Sequence, residues 1–215
     1  MARTIVPVKT FPLKVASGWS PTRFFTRADG SACPVSRETS KPIFYDSFLA
    51  PRGDAVHHAI DVTCAWGTPV VSPVDGEVPT GTWTYRGEAR PWVGRSERGG
   101  YYAWIRDAEG NTHYFAHLAE PSPLRPGQSV RAGQLVGYCG ESGNAHGGCP
   151  HLHYQIRDRY NQPINPFPLL RSFFEAGDWA GKPVMSTTTR WLWLGGAGVL
   201  GVAIVGGLLW WLRGR

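Results

Sequence analysis

The stretch CPHLHYQI, Cys149 to Ile156, decides how the chain is read. In an extended strand successive side chains point to opposite faces, so residues i and i+2 share a face. His151, His153 and Gln155 then share one face. Leu152, Tyr154 and Ile156 share the other and form the core side. Two imidazoles held side by side on a stiff strand suit a metal site, a proton-transfer site, or both. The competing reading is a pair of solvated histidines on an edge strand.

The rest of the chain supports a β-rich setting. Its 215 residues are enough for one domain with a real core. The 27 glycines, 18 prolines and only 18% charged residues point to short strands and many turns rather than a helical bundle. TPVVSPVDGEVP predicts a strand, a turn at Asp75-Gly76 and a second strand. YYAWIRDAEGNTHYFAHL predicts a hairpin around DAEGN. INPFPLLRSFFEAG is expected to hold a short closing helix. The formal charge of +6 favours anionic partners such as an acidic cell-wall polymer or lipid. No Lys/Arg cluster interleaves with aromatics in a recognition element, so nucleic acid is not an expected partner.

A second histidine cluster, DAVHHAIDV, lies upstream. Read as a strand, HHAIDV places His57, Ala59 and Asp61 on one face, and the small Ala59 lets both flanking side chains converge on one ion. His57, Asp61 and one histidine of the His151/His153 pair supply N, O and N ligands. Three protein ligands with a fourth position open is the pattern of a catalytic zinc site. An alternative uses Cys139 and Cys149 with His151 and His153 as a closed Cys2His2 site, although the nine residues between the two cysteines do not match usual zinc modules.

In these segments the chain resembles the lysostaphin/LytM zinc endopeptidases. HHAIDV is similar to that family's HxGxD segment, CPHLHYQI to its HxH segment, and HYFAHL to the segment carrying a further catalytic histidine. GTPVVSPVDGEV and VRAGQLVGYCGESGNA follow in the same order, and SGWSPTR resembles the family's domain opening. The resemblance covers about residues 15 to 168. It implies an antiparallel, mainly β domain, peptidoglycan as substrate, and Zn2+ held by His57, Asp61 and His153. It further implies that His117 and His151 act on the water and the transition state. Ala59 stands where the family has glycine, and an insertion containing Cys33 precedes His57. His113 shares nominal strand parity with His117 and competes for its role, while His146 lies in a glycine-rich loop. A non-catalytic wall-binding or amidase-regulating module of the same fold is the alternative function.

Cys139 and Cys149 bracket the loop GESGNAHGG and are expected to form a disulfide, with reduced cysteines as the alternative and Cys33–Cys64 as a second pair. The expected organisation is a lead over 1–9, the endopeptidase domain over 10–176, a linker over 177–190 and a transmembrane helix over 191–212. The 22 residues from Trp191 to Leu212 carry no charge, span about 33 Å as a helix, and have tryptophans at both ends. Small residues four apart, Ala197/Gly201 and Ala203/Gly207, permit homo-oligomer contacts through the span. No secretory segment is expected at the N-terminus. The expected location is a membrane crossed once, in a bacterial envelope or in the membrane of a bacteriophage virion.

Overall fold

A computed structural model describes residues 6–14, 44, 46–53 and 55–178. Expectations for SGWSPTR, Cys33, the remainder of the linker and the span 191–212 lie outside the described residues. Among the described residues no helix is long and apolar enough to cross a membrane.

The described strands are short, as the density of glycine and proline dictates. β1 (Pro51–Arg52) and β2 (Ala55–Val56) form a small hairpin ahead of β3 (Ile60–Thr63). Next come β4 (Pro69–Val71), β5 (Gly76–Glu77) and the hairpin of β6 (Thr82–Tyr85) with β7 (Glu88–Pro91). β8 (Val93–Ser96), β9 (Gly100–Asp107) and β10 (Thr112–Leu118) follow. The later elements are β11 (Ser129–Val130), β12 (Leu135–Tyr138), β13 (His151–Arg157), β14 (Pro163–Ile164) and α1 (Phe167–Glu175).

One antiparallel sheet organises the domain, in the order β11-β5-β9-β10-β13-β14, with β3 also on β13 and β8 also on β9. β13 is therefore an interior strand, not an edge. Leu152, Tyr154 and Ile156 are fully buried on its core side, with Ile60, Val62, Ile105 and Phe115 from neighbouring strands. α1 closes that side through buried Leu170 and the phenylalanines, Phe44 stacking on Phe167 at 4.8 Å between ring centroids. The helix begins with Pro168 in its first turn, where the missing N–H has no partner to lose.

The packed region is longer than the 10–176 predicted. Val6 and Val8 pack against the core, and Lys9 N donates to Pro73 O. At the other end the Asp178 carboxylate accepts from Thr10 Oγ1, Phe11 N and Lys14 Nζ, tying the two ends of the domain together.

The cysteine pairing differs from both expected pairs. Cys64 is bonded to Cys139, with Cα atoms 6.5 Å apart, and Cys149 is not a free thiol. The bridge Leu118↔Cys139 and the bond from Gly67 N to Cys139 O fix the end of β12 against the start of the β3–β4 connection. The Cys139 side chain therefore meets Cys64 in the core instead of reaching back across its own loop. The bond closes a separation of 75 residues, for which chain entropy gives about 4 kcal/mol. With both cysteines oxidised, the Cys2His2 metal site is excluded.

Candidate metal centre and active site

Register places the site. His153 pairs with Asp61 on β3 and with Ala116 on β10, and His151 pairs with Thr63, so these side chains share the sheet face opposite the core. His57 is not part of a strand, contrary to the reading of HHAIDV as one extended run, because β3 begins only at Ile60. The segment before β1 captures it instead. His57 N donates to Ala50 O, and its Nδ1–H donates to Ser47 O at 3.0 Å. Ser47 Oγ in turn accepts from Asp61 N.

Three ligand atoms converge. His57 Nε2 lies 3.2 Å from Asp61 Oδ1 and 3.2 Å from His153 Nδ1, and His153 Nδ1 lies 3.0 Å from Asp61 Oδ1. Tetrahedral zinc with bonds near 2.0–2.1 Å has ligand–ligand edges of roughly 3.3 Å. The triangle therefore fits one face of such a tetrahedron and leaves the fourth corner open. The donors also fit: a carbonyl only accepts, so the bond to Ser47 O holds the proton on His57 Nδ1 and leaves Nε2 as a lone pair. Burial opposes ionisation of Asp61. The ring nitrogens of His153 and His57 at 3.0 and 3.2 Å from Oδ1, and the nearby His153 and His151 rings, outweigh it and hold the carboxyl well below its ordinary range. Burial pushes His153 down, opposed by its bond to Asp61. Among the described residues this trio is the one cluster positioned to hold a metal.

Beside it stand His117 and His151, with ring centroids 4.8 Å apart and His117 5.7 Å from His153. His117 reaches this face because β10 is irregular. The register shifts between Phe115 and Leu118, and His117 adopts a left-handed φ of 60°. Such a conformation costs a non-glycine residue roughly 1–2 kcal/mol, and the bond from His117 N to Gly99 O holds it. The bulge reverses parity, so His113 points to the opposite face. His113 is fully buried there between Tyr154 Oη at 2.7 Å and Asp107 Oδ2 at 3.2 Å.

Both site histidines are oriented by carbonyls. His117 Nδ1–H donates to Ser142 O and His151 Nδ1–H to Cys149 O, each at 2.8 Å. Each Nε2 is thereby left as an acceptor. Burial, then the neighbouring His151 and His153, push the His117 pKa down to about 4, so it is neutral at pH 7. The Ser142 segment fits against Gly100, where a Cβ would run into Ser142. His146 lines an open cleft of about 740 Å³ with Arg95, Ser96, Glu97, Ser142 and Gly143; none of the ligand trio lines it. Aromatic residues continue the site along the sheet: Tyr114 meets His153 edge-on at 6.0 Å and packs on Trp104 at 4.4 Å.

Sequence reasoning missed Ser47, Arg52 and Ser142. Arg52 Nη2 donates to Asp61 Oδ2. Ser47 and Arg52 lie in the stretch read as an insertion, and Ser142 acts through its carbonyl, which any residue type supplies.

The chain is 32% identical over 130 residues to the L-Ala--D-Glu endopeptidase of Bacillus subtilis, covering 56% of this chain and 36% of the relative. It is 34% identical over 137 residues to the DD-carboxypeptidase/endopeptidase Mpg of Neisseria meningitidis serogroup B, covering 59% and 27%. The match thus spans about a third of these relatives' length. A solved candidate glycyl-glycine endopeptidase LytM from Ruminococcus gnavus superposes with a TM-score of 0.55 at 26% identity, covering 79% of this chain and 61% of the other. Residues 55–166, more than half of the chain, match the family description, and the chain belongs to peptidase family M23.

Proposed function

We propose that the chain is a zinc-dependent endopeptidase that cleaves peptide bonds in peptidoglycan. The observation that carries this reading is the juxtaposition on one sheet face of a His57/Asp61/His153 triangle of tetrahedral dimensions with two imidazoles whose Nε2 atoms are free to accept. Bound zinc would supply Lewis acidity toward water and the scissile carbonyl. His57 Nε2, Asp61 Oδ1 and His153 Nδ1 would hold it. His117 and His151 perform the proton work: neutral His117 accepts a proton at Nε2, and the imidazole pair returns one to the leaving amine. Their Nδ1–H bonds keep both rings aimed during this exchange. The presence of all five groups favours an enzyme over a non-catalytic wall-binding module.

The curated relatives are named for different bonds, one L-Ala–D-Glu and the other a DD-linkage. The decisive experiment is therefore zinc analysis of the purified chain together with mass spectrometry of peptidoglycan fragments it releases. About one equivalent of zinc and a single new peptide end are expected. A chain that takes up no zinc and releases nothing after loading defeats the proposal.

We also propose that residues 191–212 anchor this domain to a membrane and that it works outside the cytosol, in a bacterial envelope or on a membrane-bearing phage particle. The uncharged, tryptophan-flanked run supports the anchor, and the Cys64–Cys139 disulfide suits an oxidising exterior. Lipid partitioning with protease protection of native membranes tests both; a chain recovered lipid-free defeats the anchor.

A further inference from the structure

Asp61 uses its two oxygens differently. Oδ1 faces His57 and His153, whereas Oδ2 receives Arg52 Nη2 at 2.5 Å. Arg52 ends β1, and the backbone just before that strand is tied to the metal side: Leu49 N donates to His57 O, and His57 N donates to Ala50 O. Buried Ser47 adds its carbonyl to His57 Nδ1–H and its hydroxyl to Asp61 N. Residues 47–52 thus form a strap whose polar groups converge on two of the three ligands from behind.

The Arg52 side chain is 49% exposed and that of Asp61 only 17%. A half-exposed ion pair adds little to stability, about 0–1 kcal/mol. Its consequence lies in geometry. A carboxylate binds a divalent ion through one oxygen or through both, and the second mode would add a donor beside the open corner of the ligand tetrahedron and crowd it. A guanidinium seated on Oδ2 competes for that oxygen directly.

We propose that Arg52 is a positioning residue of the metal centre: by occupying Asp61 Oδ2 it confines Asp61 to one-oxygen ligation and keeps a coordination position open for water and substrate. The proposal rests on the metal reading given above. It assigns a role to a segment that the sequence alone reads as an insertion.

The test uses the full chain, R52A, R52K, and R171A as a control, since Arg171 lies on α1 and pairs with Glu175. Zinc retention against a chelator, the visible spectrum of the cobalt(II)-substituted protein, and kcat and KM on peptidoglycan fragments are measured. Loss of a group behind a ligand typically costs about 10–100-fold in metal affinity or activity. R52A is expected to hold zinc at least as tightly as the wild type, because Asp61 Oδ2 is freed and a positive charge beside the site is removed, to show weaker cobalt bands as four-coordination gives way to five, and to lose activity by such a factor in kcat with KM within about twofold. R52K, which keeps the charge without the forked geometry, recovers part of the cobalt bands and of kcat, and R171A matches the wild type. Melting of metal-free R52A with the wild type separates orientation from folding; if R52A does not fold, R52K carries the same comparison of cobalt bands. Wild-type protein that binds no metal sinks the metal reading itself. Wild type that binds while R52A gives the same cobalt spectrum overturns the role of Arg52 alone.

Discussion

His113 and His117 sit four residues apart on one strand, and the contrast between them separates the two faces of the sheet. His113 is sealed on the core side, its two ring nitrogens occupied by Tyr154 Oη and Asp107 Oδ2. Asp107 is itself completed by Asn111, through its backbone N–H and its side-chain amide. His117 sits on the other side with one nitrogen committed to Ser142 O. A histidine with both nitrogens satisfied inside the protein is structural. One with a single nitrogen anchored and the other open toward a ligand cluster is available for chemistry. The same residue type on the same strand is divided by one bulge.

The largest effect expected falls on the ligand trio. His153→Ala or Asp61→Ala should abolish zinc uptake and with it all hydrolysis above background, read by elemental analysis beside a fragment-release assay. A variant that kept full zinc would move that residue out of the trio.

His117→Ala and His151→Ala should keep zinc and lose turnover, by about 10²–10⁴-fold for a general acid–base group. His113→Ala should do the reverse. It leaves the buried Tyr154 hydroxyl without its partner and takes one of three hydrogen bonds from Asp107, which keeps both bonds to Asn111; such a loss costs about 1–3 kcal/mol, so urea denaturation should show destabilisation of that order with kcat per folded molecule unchanged. If His113→Ala lost turnover at unchanged stability, the division between the faces would be wrong.

The two faces are also coupled through the Cys64–Cys139 bond. It lies at the start of the segment that carries Ser142 O and Cys149 O, the acceptors that orient His117 and His151. Cys64→Ala/Cys139→Ala should lose about 4 kcal/mol on the chain-entropy account, with a fall in kcat larger than any loss of zinc. An unchanged midpoint in denaturant would show that packing of the two buried side chains, not the cross-link, holds this segment.

How far the sequence reached follows from these same residues. Period-two alternation in CPHLHYQI placed Leu152, Tyr154 and Ile156 in the core, because a buried strand has no other way to sort its side chains. The YYAWIRDAEGNTHYFAHL hairpin was legible from its turn residues and is β9–β10. Parity alone mistook the relation of His113 to His117, since a bulge inserts a residue without marking the sequence. Alternation also treated His57 as a strand residue, although the backbone of Leu49 and Ala50 and the Ser47 carbonyl fix it. The disulfide was misassigned because spacing along the chain reports loop length, whereas pairing depends on which strand ends meet. Ser142 and Cys149 act through carbonyls, and no residue type announces a carbonyl's position.

The smallest expected effect is on the pH dependence of stability, and it tests His117 through the difference between the wild type and a variant at that position. Burial and the neighbouring imidazoles place its pKa at about 4, below the ordinary 6.5. Between these values the unfolded chain binds a proton that the folded chain does not. Stability therefore rises with pH across this window, is fully present above about 6.5, and is lost as pH falls toward about 4. Asp61, held below its ordinary range, contributes in the same direction only at lower pH, as pH falls below its unfolded value near 3.8. Urea titrations of the metal-free protein from pH 7 to pH 4 should show this decline, and His117→Gln, which cannot charge, should make it shallower, leaving the part that comes from His153, which burial also pushes down. A variant whose stability fell as steeply as the wild type across that window would show that His117 is not held neutral by its surroundings, and the distinction drawn between it and His113 would then rest on geometry alone.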